Sequence, residues 1–186
     1  MTENIEDIIG KFTIGFDHRD REIIHSNWDE IFDTQQWSEG KFTSEFEEHW
    51  SKWNEIPAVS FSSWAGGAMA ALSYIGVKDE VVLCPSNTFM ATPLSVINSG
   101  GIVKFVDCNK EDLCMSFEDF EIKAEKHKPK AVWLVHVGGH LAFDIEKIAN
   151  YCKSNKIWLI EDCAHAHGAE WNGKKPGSWG DAGIYS

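Results

Sequence analysis

Four short apolar runs punctuate the chain: residues 80–84 (EVVLC), 102–106 (IVKFV), 131–136 (AVWLVH) and 157–160 (IWLI). Each is separated from the next by a stretch with helical character, over 90–98, 117–127 and 144–154. An apolar run without alternation reads as a strand buried on both faces. Strands spaced by helices read as βαβ units, because a parallel neighbour can be reached only through a crossover. The pattern predicts an α/β fold, a three-layer αβα arrangement around a mostly parallel sheet.

Local signals fill in the rest. Ser116-Phe117-Glu118-Asp119 resembles a capping box, and Asp144 is placed to cap the helix that follows it. Phe42, Phe46, Trp50 and Trp53 recur at helical spacing, which predicts an amphipathic helix over 43–54, ended by Pro57. Ala58-Val59-Ser60-Phe61 then reads as a short strand, and Gly66-Gly67 opens a small-residue helix from Ala68 to Ile75. Residues 1–40, broken by Gly10, Gly15 and Gly40, read as an irregular or partly helical arm ahead of a domain over 41–186. There is no internal repeat, low-complexity tract or Pro/Gly/Ser linker.

Composition excludes several classes of function. A formal net charge of −12 argues against nucleic acid or an anionic membrane as partner, since phosphate binding needs a basic face. Five cysteines with no C-x-x-C suggest neither a disulfide framework nor a zinc ribbon, but reduced thiols in a cytoplasmic protein. The acidic start MTENIEDIIGKF is unlike a signal peptide, and no apolar stretch approaches the ~18 residues of a membrane span.

Ligands of such sheets collect where the strands end. That rule selects the loops SSWAGG (62–67), PSNTF (85–89), HVGGH (136–140) and EDCAH (161–165). The first could offer amide N–H groups and a helix dipole to a phosphate, or its glycines could simply permit close packing. It is neither G-x-G-x-x-G nor a Walker loop. His136 with His140, or Cys163 with His165 and His167, could in principle ligate zinc, but no second matched cluster is spaced to close a site, so no metal is expected. Asp162 is a carboxylate ending an apolar run, which is costly unless it meets a cation or caps the next turn. No Ser-His-Asp order or G-x-S-x-G elbow supports hydrolysis.

Taken together the loops resemble the DegT/DnrJ/EryC1/StrS family of pyridoxal-phosphate-dependent sugar aminotransferases. The residues that carry the resemblance are Asp79-Glu80-Val81-Val82, the segment from Pro85 to Thr92 (PSNTFMAT), Phe105-Val106-Asp107, Val135-His136 with Gly138-Gly139, EDCAHAHGA at 161–169, Gly177, Gly180-Asp181 and Tyr185-Ser186. They run in family order from about residue 40 onward. The resemblance implies a large domain of the fold-type I transferases, of which residues 41–186 would be the N-terminal part, with pyridoxal 5'-phosphate as cofactor. Asp162 would hold the pyridinium nitrogen protonated, Phe89 would stack on the ring, and His165 would contact the phenolic oxygen. Ala65 and Gly66 would cradle the phosphate with a hydroxyl from Ser186; the family usually has a threonine where Ala65 stands, which leaves more of that task to backbone amides. Asn87 and His136 would face a nucleotide-sugar substrate.

In the family a lysine forms the Schiff base a few residues beyond the motif that ends at Ser186. It is not among these residues, and Lys174 and Lys175 precede the motif. The resemblance therefore implies an aminotransferase acting on a nucleotide-linked keto-sugar with an amino-acid donor, as a homodimer, inactive when limited to these 186 residues. A non-catalytic binding module, half of a split enzyme, or a generic α/β protein without cofactor are the competing readings.

Overall fold

The computed structural model describes residues 15–186. Two compact units are distinguished, one up to His49 and one over Trp50–Ser186. In the first, α1 spans His18–Thr34; Asp17 caps it through a bond from the Arg19 amide, and Asp20 bonds back to the Asp17 amide. The arm expected over 1–40 is thus a regular helix across much of its described length. Helix α2, Lys41–Asn54, begins in this unit, with Lys41 paired to Glu30 at 2.8 Å.

The second unit holds α3 (Trp64–Ile75), β1 (Val81–Pro85), α4 (Ala91–Asn98), β2 (Ile102–Val106), α5 (Phe117–His127), β3 (Ala131–Val135), α6 (Ile145–Asn155), β4 (Trp158–Asp162) and β5 (Ala182–Ile184). The strands form one sheet, order β2-β1-β3-β4-β5, and every pairing is parallel. The chain passes from β1 to β2 on one side and then crosses back to β3 on the other. The carboxyl ends of β1 and β3 therefore flank a topological switch point, where ligands of such sheets bind.

Alternation along each strand builds the layers. Val82, Cys84, Ala131, Trp133 and Ile160 pack with Ala68, Leu72 and Ile75 of α3 and Val96 of α4. Their neighbours Leu83, Val132, Leu134 and Leu159 pack on the other face with Phe120 and Ala124 of α5 and Ile145, Ile148 and Cys152 of α6. This is the three-layer αβα arrangement expected from the apolar runs. All five cysteines are free, and no helix among the described residues is long and apolar enough to cross a membrane.

Several expectations are corrected. Ala58–Phe61 forms no strand: Val59 is 74% exposed, and the Ala58 amide bonds the Ser51 hydroxyl instead of a sheet neighbour. β2 is not buried on both faces, because it is an edge strand with Ile102 and Phe105 about half exposed. Ser116 begins α5 without a side-chain cap bond. Asp144 makes no side-chain cap bond to the amides of α6; its carboxylate accepts from the Phe117 amide at the start of α5, from Asn109, and from the Lys147 side chain in the first turn of α6. Strand β5 was not anticipated. It forms because Glu161 and Asp162 present an edge to Gly183 and Ile184, and the Gly183 backbone lies against that of Gly177.

A β-carbon at Gly183 would collide with the Gly177 Cα, which is backbone and cannot rotate aside. We expect Gly183→Ala to destabilise the fold by about 1–3 kcal/mol, the usual cost of overpacking, read as a lower urea midpoint.

Candidate functional site

Asp162 closes β4 and is buried. Its Oδ1 accepts from the Trp64 indole at 3.1 Å and the Ala164 amide at 3.2 Å; its Oδ2 accepts from the Thr92 hydroxyl at 3.2 Å. Each donor comes from a different element for a local reason. Trp64 begins α3, which Ser63 caps by accepting from the Gly66 amide, and its ring lies 5.3 Å from that of Trp133. Thr92 sits in the first turn of α4, its hydroxyl 2.8 Å from that of Thr88. All three donors are neutral, and among the described residues no lysine or arginine pairs with Asp162. Burial pushes the carboxyl above its ordinary range, partly countered by these bonds.

The other anticipated residues do not bond this carboxylate; several lie on the elements that do. Ala65 and Gly66 follow Trp64 in the first turn of α3, where amides and the helix dipole favour an anion. Gly67 is a packing glycine: a β-carbon there would come within 3.3 Å of the Phe61 ring. Phe89 lies three residues before Thr92 and is 80% exposed, its ring open to stacking. Ile184 is the register partner of Asp162, and Ser186 continues two residues beyond it, exposed. His165 is exposed, and its Nδ1 accepts from the Gly138 amide at 3.4 Å. Asn87 is exposed and donates to the Leu113 carbonyl at 3.0 Å.

His136 is placed otherwise. It has no exposed surface; Nδ1 accepts from the Ala142 amide at 3.2 Å, so Nε2 carries the proton toward Glu161 Oε2 at 3.0 Å. A ring so enclosed cannot meet a substrate, and that expectation is corrected. Its partner Glu161, equally buried, also accepts from the amides of Gly177, Trp179 and Gly180 at 2.8 Å each. Glu161, Trp64 and Thr92 are the residues that sequence reasoning passed over; the Thr88/Thr92 spacing of four at a helix start was the available signal. Lys174 lies over the Trp179 ring at 4.5 Å, while Lys175 bonds the Trp53 carbonyl and pairs with Glu55 at 3.6 Å.

A pyridinium suits this arrangement. Among the described residues the buried carboxylate has neutral donors but no cation, the exposed Phe89 ring lies one turn before Thr92, which donates to it, and a helix N-terminus suited to phosphate begins at the residue that grips the carboxylate. Comparison with known proteins agrees with the class that this fold and site define. The chain is 34% identical over 152 residues to GDP-perosamine synthase from Vibrio cholerae, covering 80% of this chain and 41% of that protein. It is 32% identical over 150 residues to UDP-4-amino-4,6-dideoxy-N-acetyl-beta-L-altrosamine transaminase from Campylobacter jejuni, covering 79% and 39%. Among solved structures, NtdA from Bacillus subtilis with bound cofactor PMP matches with a TM-score of 0.78 at 25% identity, over 87% of this chain and 37% of that one. The chain thus spans about two fifths of the length of such curated relatives.

A model of the DegT/DnrJ/EryC1/StrS aminotransferase family matches residues 18–186. The chain belongs to that family.

Two outcomes follow from the geometry. Because burial raises the folded-state pKa of Asp162, its ionisation disfavours folding: the contribution is most favourable at low pH and is lost as pH rises through the interval between its unfolded and folded values. Asp162→Asn should therefore raise the melting temperature of the cofactor-free chain at pH 8 and flatten its pH dependence above pH ~4. Glu161→Gln should cost about 3 kcal/mol or more, since an amide NH₂ must then face backbone donors. Hydrogen exchange should locate that loss at the amides of Gly177, Trp179 and Gly180.

Proposed function

We propose that this chain carries the ring-binding and phosphate-binding part of an aminotransferase that uses pyridoxal 5'-phosphate to aminate a nucleotide-linked keto-sugar. The observation that carries the reading is the Asp162 carboxylate, buried among three neutral donors with no cation of its own. When bound, the cofactor supplies an electron sink for the carbon that gains or loses a proton. Asp162 would hold a proton on the ring nitrogen by charge-assisted hydrogen bonding, while Trp64 and Thr92 keep its oxygens oriented. Phe89 would stack on the ring, His165 would orient its oxygen substituent, and the first-turn amides at Ala65 and, once released from the Ser63 cap, Gly66 would hold the phosphate with the Ser186 hydroxyl. Asn87 would face the sugar nucleotide.

The substrate class rests on the relatives, whose names describe GDP- and UDP-linked amino sugars. The donor would be an amino acid such as glutamate. A second copy of the chain would be the partner, with the exposed row Met90, Leu94 and Ile97 as available apolar surface, and buried free thiols suit a reducing cytoplasm. Residues 1–40 would act as an arm on a large-domain portion over 41–186. Neither Lys174 nor Lys175 is free to serve as the family's lysine, so the 186 residues would bind cofactor without turnover.

Titration with pyridoxal 5'-phosphate, followed by cofactor absorbance and tryptophan quenching, tests this. Saturable binding is expected, weakened about tenfold or more in Asp162→Asn, since a hydrogen bond to a charged group is worth about 1.5–3 kcal/mol. Equal affinity of the variant would remove Asp162 from the ring site. Amino-sugar formed from glutamate and a nucleotide-linked keto-sugar by these residues alone would overturn their inactivity.

A further inference from the structure

Outside the site around Asp162, two loops bring together three side chains of the kinds that bind zinc. Asp112 and Cys114 lie between β2 and α5, and His140 follows the tight turn after β3. One ligand-capable atom from each lies within 4.8 Å of the others. Asp112 and Cys114 are buried, while His140 is exposed and free to adjust by the remaining distance.

The environment of each group suits a cation. The Asp112 carboxylate accepts from the amides of Cys114 at 3.0 Å and Phe143 at 2.7 Å, which leaves a further lone-pair direction on each oxygen. Among the described residues no lysine or arginine pairs with it, so the buried charge has amide dipoles but no counter-ion. The Val137 amide points at Cys114 Sγ from 3.4 Å, a bond that steadies a metal-bound thiolate. The loops are held in conformations that side chains rarely adopt: Leu113 has φ 59°, Gly138 φ 75° and Gly139 φ 94°. At Gly139 a β-carbon would stand 3.1 Å from the His165 carbonyl, so that turn cannot relax outward easily. The other compact set, His136, Glu161 and Cys163, is already consumed by the bonds that hold Glu161.

We propose that Asp112, Cys114 and His140 form a three-ligand site for a zinc-class divalent ion, with the fourth tetrahedral position open to water. Oxygen, sulfur and nitrogen donors together fit zinc better than magnesium or calcium, which prefer oxygen alone. Binding would form the metal–sulfur bond and release the Cys114 thiol proton to solvent, with no change of oxidation state. The site is independent of the cofactor reading.

Cobalt(II) is the probe, titrated into the purified chain free of pyridoxal phosphate. One equivalent should give the near-ultraviolet sulfur-to-cobalt charge-transfer band and tetrahedral visible bands, both removed by one equivalent of zinc. Cys114→Ser should abolish the charge-transfer band. His140→Ala, on an exposed side chain that folding does not need, should weaken binding by more than the ~10–100-fold that loss of an outer partner costs. His25→Ala should leave it unchanged. Absence of the band, its survival in Cys114→Ser, or unaltered affinity in His140→Ala would each overturn the site.

Discussion

One buried carboxylate ties the carboxyl end of the sheet together. Glu161 joins two segments to β4: the end of β3, through His136, and the long loop before β5, through the amides of Gly177, Trp179 and Gly180. A carboxylate can satisfy that many donors because it offers about four lone-pair directions and no proton of its own. In a low-dielectric interior such bonds are strong when complete and costly when broken. The next residue is Asp162. The chain therefore uses adjacent acids of one strand for opposite purposes: Glu161 is saturated and holds the frame, while Asp162 is kept short of a counter-charge.

Much of this architecture can be read from the chain alone, for identifiable reasons. Helix α5 spans 117–127 as its pattern indicates, and β3 spans 131–135 within the apolar run 131–136, because local periodicity and tertiary burial agree there. Reading fails where they diverge. The apolar letters of β2 suggest two covered faces, but sheet order, invisible in sequence, leaves it at the edge. Strand β5 is Ala-Gly-Ile, without β-propensity worth noticing, and exists through pairing with β4. Asp144 has the right chemistry for a cap and spends it on the first amide of α5 instead of on its own helix. In the site, motif spacing points to Asp162, but a histidine at a strand end looks the same whether it faces a ligand or, like His136, a buried glutamate. The Asp112, Cys114 and His140 juxtaposition leaves no sequence signature, since the third member is 26 residues from the second and joined to it only by folding.

The donors to Asp162 explain how such a residue can be maintained. Trp64, Ala164 and Thr92 hold the carboxylate in place without neutralising it. Their bonds fix its direction, so its field is aimed before any ligand arrives, which is the condition under which electrostatic contributions are largest. The cost falls on the stability of the free protein, at the one position where the proposed function would draw on that charge.

Gly177 and Gly183 have a consequence of another kind. Their backbones touch with no room for a side chain on the facing side of Gly183, and Gly177 also sits at φ 80°. A seam closed by two glycines cannot be retuned by exchanging one residue for a slightly larger one, as a core leucine can. Change at the seam itself is therefore barred, and variation is left to the residues around it. Any lineage that diverges from this chain inherits a fixed line of backbone contact that it can decorate but not move.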